Sequence, residues 1–118
     1  MGKFGCHCGN TISDSSSPCP DAGLLTWEPE IDLSNDEFVT SVSEFLSAIE
    51  LGNRNSWINE FFGSLYPLDL GNSTVISDIY SSVSVNRGRS VLRCSECERI
   101  YIHTKSFENQ WTCYEKRI

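Results

Sequence analysis

"VLRCSECERIYIHT" (residues 91–104) places two cysteines two residues apart, ahead of an alternating apolar run. "KFGCHCGN" (residues 3–10) places another close pair near the opposite end of the chain. Cysteines this close in sequence serve a shared purpose: disulfides, a redox pair or a metal. A thioredoxin-like redox pair at Cys94 and Cys97 would need a strand before the motif and a helix opening at it, whereas "RIYIHT" alternates as a strand does. In a reducing compartment, six cysteines read as metal ligands or buried side chains before they read as a disulfide framework.

Zinc accounts for the pattern best. Cys6 and Cys8 form a C-x-C pair followed by Gly9, and Cys94 and Cys97 form a C-x2-C pair. Two ligands so close can converge on one ion only if the backbone curls around it, and a glycine after the second ligand frees that curl. Four thiolates make a tetrahedral site suited to zinc. Such a shell leaves no open position for water, so the expected Zn2+ is structural rather than catalytic. His7 in place of one thiol is a variant of the same reading. The competing reading is that these cysteines are simply small buried residues. Glu98 stands where a knuckle of this kind often has glycine. Cys19, in "SSSPCPD", and Cys113, in "QWTCYEK", fit the site less well. Cys113 is expected in the core, with a reserve role at the metal left open, and His103 reads as a plain surface histidine.

The 118-residue length and 39% hydrophobic content fit one domain, residues 1–118. Residues 1–33 read as strands and turns around the first cysteine pair. A helical segment over 34–86 follows, and residues 88–118 read as strands around the second pair. Ser34 and Glu37 have capping-box spacing, ahead of Phe38, Val42, Phe45, Leu46 and Ile49, and "LGN" supplies a glycine stop. A second helix from about Ser56 carries Trp57, Phe61, Phe62 and Leu65 on one face until Pro67. A third, from Asn72 or Ser73, carries Ile76, Ile79, Tyr80 and Val83. "RIYIHT" and "QWTCYEK" suggest a hairpin turning around Phe107 to Asn109. The expected class is α+β: a small antiparallel sheet of N- and C-terminal strands joined by a zinc-ribbon-like site, with a three-helix insertion.

Net charge is −7, unevenly placed. Between Lys3 and Arg54 the sequence has nine carboxylates and no base; the remainder has nine bases against seven acids. Such a field repels nucleic acid and favours cationic partners, although a solvated helix face that aids solubility would look the same. The acidic run Glu28, Glu30, Asp32, Asp36, Glu37 and Glu44 is the candidate partner surface. Trp27 is its candidate aromatic anchor, with a core tryptophan as the rival reading. No phosphate loop, nucleophile elbow or H-E-x-x-H motif is present, so an enzyme is not expected. No apolar run reaches the roughly 18 residues of a membrane span, and the start "MGKFGCHC" has no apolar signal region, so a cytoplasmic protein is expected.

The opening "KFGCHCGNTISD", the acidic middle and the closing "VLRCSECERIYIHT" resemble small acidic bacterial immunity proteins of toxin–immunity systems, including contact-dependent growth inhibition, with a split four-cysteine site. The resemblance implies stoichiometric binding of a cognate protein toxin, a role that agrees with the charge if the toxin is a basic nuclease. The alternative is a zinc-ribbon adaptor contacting nucleic acid or transcription machinery. Its basis is the tail in which Arg87, Arg89, Arg93, Arg99, Lys105, Lys116 and Arg117 interleave with Tyr101, Trp111 and Tyr114.

Overall fold

The computed structural model describes residues 3–13, 16, 18–104 and 110–117. The chain divides into two compact units: residues 1–26 with 88–118, and residues 27–87. The α+β class is as expected, with three helices and antiparallel strands among the described residues.

The first unit has two sheets. Strands β1 (Lys3–Gly5) and β2 (Thr11–Ser13) form a hairpin in which Phe4 faces Ile12. Strands β3 (Ala22–Leu25), β4 (Arg89–Arg93), β5 (Ile100–His103) and β6 (Trp111–Tyr114) form a second sheet in that order, all antiparallel. N- and C-terminal strands therefore pair, through β3 and β4. Leu25 sits opposite Arg89, so the chain leaves the sheet and returns to it at one pair of positions, with the whole helical unit between. The β5–β6 pairing is the expected hairpin; its turn at Phe107 to Asn109 lies outside the described residues. The core here is small: Cys6, Ile12, Cys94 and Tyr101, flanked by Phe4, Leu92, Cys97, Trp111 and Cys113.

The helical unit departs from expectation at its start. Helix α1 spans Glu28–Glu50, so residues 28–33 are helix rather than strand or turn, and Ser34 is not the cap. Trp27 is the extended N-cap residue and Pro29 lies in the first turn, where a missing N–H costs nothing. Glu28 and Glu30 also lie there, favourably placed against the helix dipole. Ser34 Oγ is buried without a hydrogen-bond partner, and Glu37 is bonded to Arg87 instead of closing a capping box. The stop is as read: Gly52 takes φ 76°, and Leu51, Gly52 and Asn53 donate to the carbonyls of Ser47, Ile49 and Ala48.

Helix α2 spans Arg54–Phe62 and α3 spans Asn72–Arg87. Phe45, Ile58, Val75, Ile79 and Val83 form the core, with Trp57, Phe61, Phe62 and Ile76 packed on it. Three expected core positions are exposed, Leu46 on α1 at 49% among them. Leu65 lies beyond the end of α2 at 97% exposure, and Tyr80 is 61% exposed, edge-on to Phe38. Arg54 fixes the loop into α3 by donating to the carbonyls of Leu68 and Leu70 and to Asn72 Oδ1. No helix among the described residues is long and apolar enough to cross a membrane.

Candidate metal centre

Each cysteine pair sits at the tip of a hairpin. The loop from Cys6 to Asn10 joins β1 to β2, with the Cys6 N–H donating to Asn10 O at 2.9 Å and the Gly9 N–H to Cys6 O at 3.0 Å. The loop from Cys94 to Arg99 joins β4 to β5, with the Cys94 N–H donating to Arg99 O and the Glu98 N–H to Cys94 O, both at 2.9 Å. In each loop the residue after the second cysteine has positive φ: Gly9 at 98° and Glu98 at 63°. That residue reverses the chain so that both sulfurs face inward.

The two tips bring Cys6, Cys8, Cys94 and Cys97 together, with all four Sγ atoms within 4.8 Å of one another. Cys6 and Cys97 Sγ are 3.4 Å apart, and Cys8 and Cys94 Sγ are 3.6 Å apart. A tetrahedral ion with metal–sulfur bonds of about 2.3 Å requires sulfur–sulfur edges of about 3.8 Å, so the cage has the right size. All six cysteines are free thiols, and the four in the cluster can hold a metal ion. Cys6 and Cys94 are buried, Cys97 is half-buried and Cys8 is exposed.

Three sulfurs also accept hydrogen bonds from side chains that the sequence did not reveal as part of the site. Asn10 Nδ2 donates to Cys94 at 3.4 Å, Arg99 Nη1 to Cys97 at 3.2 Å and the Tyr101 hydroxyl to Cys6 at 3.3 Å. The His7 backbone N–H donates to Tyr101 Oη at 3.0 Å and orients that hydroxyl. Donors of this kind spread thiolate charge and fix the ligands. The His7 ring stands edge-on to Tyr101 and is not among the four clustered ligands. Cys113 pairs across from Tyr101 and packs in the first unit's core, while Cys19 donates to Ser13 O at 3.3 Å.

The thiols respond unequally to this crowding. Burial pushes the Cys6 thiol up, but the Cys8 N–H, the Tyr101 hydroxyl and the Cys97 thiol outweigh it and lower it to about 6. At Cys8 the Asn10 N–H favours the thiolate, yet the partial loss of water around the sulfur and the thiols of Cys6, Cys97 and Cys94 raise it to about 12. Cys94 is lowered, first by the Cys97 N–H. Four thiolates so close repel one another unless a cation lies between them, and a metal that binds here must displace the remaining protons.

Glu98 gives a direct test of the loop geometry. A residue with a Cβ in the left-handed region costs about 1 kcal/mol that glycine avoids. The Glu98 carboxylate meets Lys116 Nζ at 3.3 Å, in an exposed pair that contributes little. Glu98→Gly is expected to raise the melting temperature of the first unit by a few degrees with metal content unchanged, and Glu98→Val to lower it. A scanning calorimetry trace in which the glycine variant melts earlier would refute the strain at Glu98.

The fold and the site define an α+β protein with a four-cysteine centre shared between two hairpin tips and a helical unit that lies, in sequence, between β3 and β4. The chain belongs to the family described as a domain of unknown function, DUF8617, whose model matches residues 2–117. No curated protein and no solved structure matches it.

Proposed function

We propose that this chain is an immunity protein that binds a basic protein toxin, a nuclease by the logic of charge, and neutralises it by occupancy. One observation carries the reading: charge divides with the fold. The helical unit has ten acids against two bases, whereas the strand unit has six acids against seven bases. Both bases of the helical unit are already engaged. Arg87 pairs with Glu30 at 2.9 Å and with Glu37, and Arg54 holds loop carbonyls.

Of the sequence-predicted contacts, Glu30 and Glu37 are therefore tied to Arg87, while Glu28, Asp32, Asp36 and Glu44 are exposed. Asp32, Asp36, Val39 and Leu46 follow at helical spacing along α1, and Val39 and Leu46 are 57% and 49% exposed. Trp27, just before them, is 61% exposed rather than a core residue. Carboxylates beside exposed apolar side chains suit an interface in which charge speeds encounter and a few anchors slow release.

In this reading the metal is zinc. An all-sulfur tetrahedral shell suits it and leaves no position for a reacting water, so the ion holds the two hairpins together. The adaptor alternative has less to stand on, because bases of its proposed surface meet acids within the strand unit. Arg93 meets Asp21 at 3.4 Å, Arg99 meets Glu115 at 3.5 Å and Lys116 meets Glu98.

Co-expression with the product of the neighbouring gene tests the function. Growth rescue and co-purification of the two chains are expected. Salt-sensitive binding to labelled RNA or DNA, with no protein partner recovered, would favour the adaptor.

A further inference from the structure

We infer that the groove between the C-terminal end of α1 and α2 is a receptor for an arginine side chain of the partner. This deepens the proposed function and rests on that reading for the identity of the partner. The groove encloses about 650 Å³ and opens to solvent. Ala48, Leu51 and the Trp57 indole supply apolar lining, while Glu44 and Glu60, from α1 and α2, bring two carboxylates and no base lines it. Trp57 is held in place by stacking on Phe61 at 4.9 Å and by Phe45 at 5.2 Å, so this wall is already formed before any partner arrives.

Three backbone carbonyls at this end of α1 are already occupied. The carbonyls of Ser47, Ala48 and Ile49 are taken by the N–H groups of Leu51, Asn53 and Gly52. The last turn of α1 also lacks a basic residue. The groove offers a cation mainly side chains: two carboxylates for its charge, an indole and two aliphatic groups for its stem. That combination fits arginine better than lysine. A guanidinium is planar, lies well against an aromatic ring, can meet carboxylates with paired N–H donors and sheds its water more readily than an ammonium. Charge complementarity selects the occupant, since a basic partner drawn to the helical unit carries such side chains at its surface.

The test uses the 15N-labelled full chain and three blocked octapeptides that alternate glycine with arginine, lysine or glutamine. The arginine peptide is expected to shift the Trp57 indole N–H and the amides of Ser47 to Trp57 saturably. The lysine peptide should bind several-fold more weakly, and the glutamine peptide should leave the spectrum unchanged. Glu44→Gln and Glu60→Gln should each weaken the arginine peptide roughly tenfold, with Asp69→Asn, away from the groove lining, as an unaffected control. Shifts spread over the outer face of α1 without Trp57, or equal binding by the Gln variants, would overturn the assignment. Failure here leaves neutralisation of a toxin intact, because that is read by inhibition. A groove that binds the arginine peptide in a chain that neutralises nothing would remove the function and keep the groove.

Discussion

Cys94→Ser is expected to strip the metal from the chain and unfold the strand unit at room temperature while the helices remain. Cys94 is 1% exposed and its sulfur lies 3.6 Å from that of Cys8. A serine hydroxyl is a poor ligand for the proposed zinc, which would be left with three thiolates and an open shell. Structural zinc contributes on the order of 10–16 kcal/mol to the folding of small zinc domains, and loss of one ligand forfeits a large part of that. The strand unit has little to replace it, because two of the four buried core residues among its described residues are themselves cysteines of the site. The helical unit keeps its own core of Phe45, Ile58, Val75, Ile79 and Val83. Far-ultraviolet dichroism should therefore retain its helical signal, while the dispersed resonances of Phe4, Tyr101 and Trp111 collapse. Cys19→Ser and Cys113→Ser should keep a full complement of metal. A Cys94→Ser protein that binds one zinc and melts with the parent would contradict the ligand set.

Reversing Asp32, Asp36 and Glu44 to lysine should slow association with the toxin by roughly a hundredfold at low salt. The change takes the helical unit from ten acids against two bases to seven against five. The salt dependence of association should flatten in parallel, since screening has less attraction to remove. All three side chains are exposed, so the melting temperature should stay close to that of the parent. Glu30→Gln and Glu37→Gln should behave in the opposite manner. They loosen Arg87 and lower the melting temperature, with a smaller effect on association. Stopped-flow measurements at several salt concentrations read the first effect, and thermal melts the second. If the triple reversal protects cells as well as the parent does, the acidic run serves solubility and the interface lies elsewhere.

The parts of this protein that are legible in the sequence are those set by neighbouring residues. The two knuckles follow from C-x-C-G and C-x2-C, and the strands beside them follow from alternation. Glu98 was visible as the departure from glycine, and the structure places it at positive φ. The start of α1 is obscured in the sequence because Ser34 and Glu37 have the spacing of a capping box. The same spacing occurs inside any helix, and Pro29 in a first turn with Glu28 and Glu30 is the stronger signal. Leu65 is hard to place from sequence because the apolar period continues past Phe62, while Gly63 at φ 97° has already turned the chain away. Long-range partners left no local trace. The Tyr101 hydroxyl on Cys6 and Arg87 between Glu30 and Glu37 join residues far apart in sequence. The inward position of Tyr101 on β5 and the basic residue closing α3 were the available hints.

Occupancy is the central claim, and titration tests it most directly. Purified chain is added in steps to a fixed amount of the proposed toxin, sought as the product of the neighbouring gene, well above the dissociation constant, while that protein's activity is followed. A linear fall that ends near one equivalent is expected, with both proteins recovered chemically unchanged and an interface of about 1,600 Å² buried between them. Complete inhibition at a small fraction of an equivalent, with the toxin covalently altered, would contradict it and mark the chain as a catalyst.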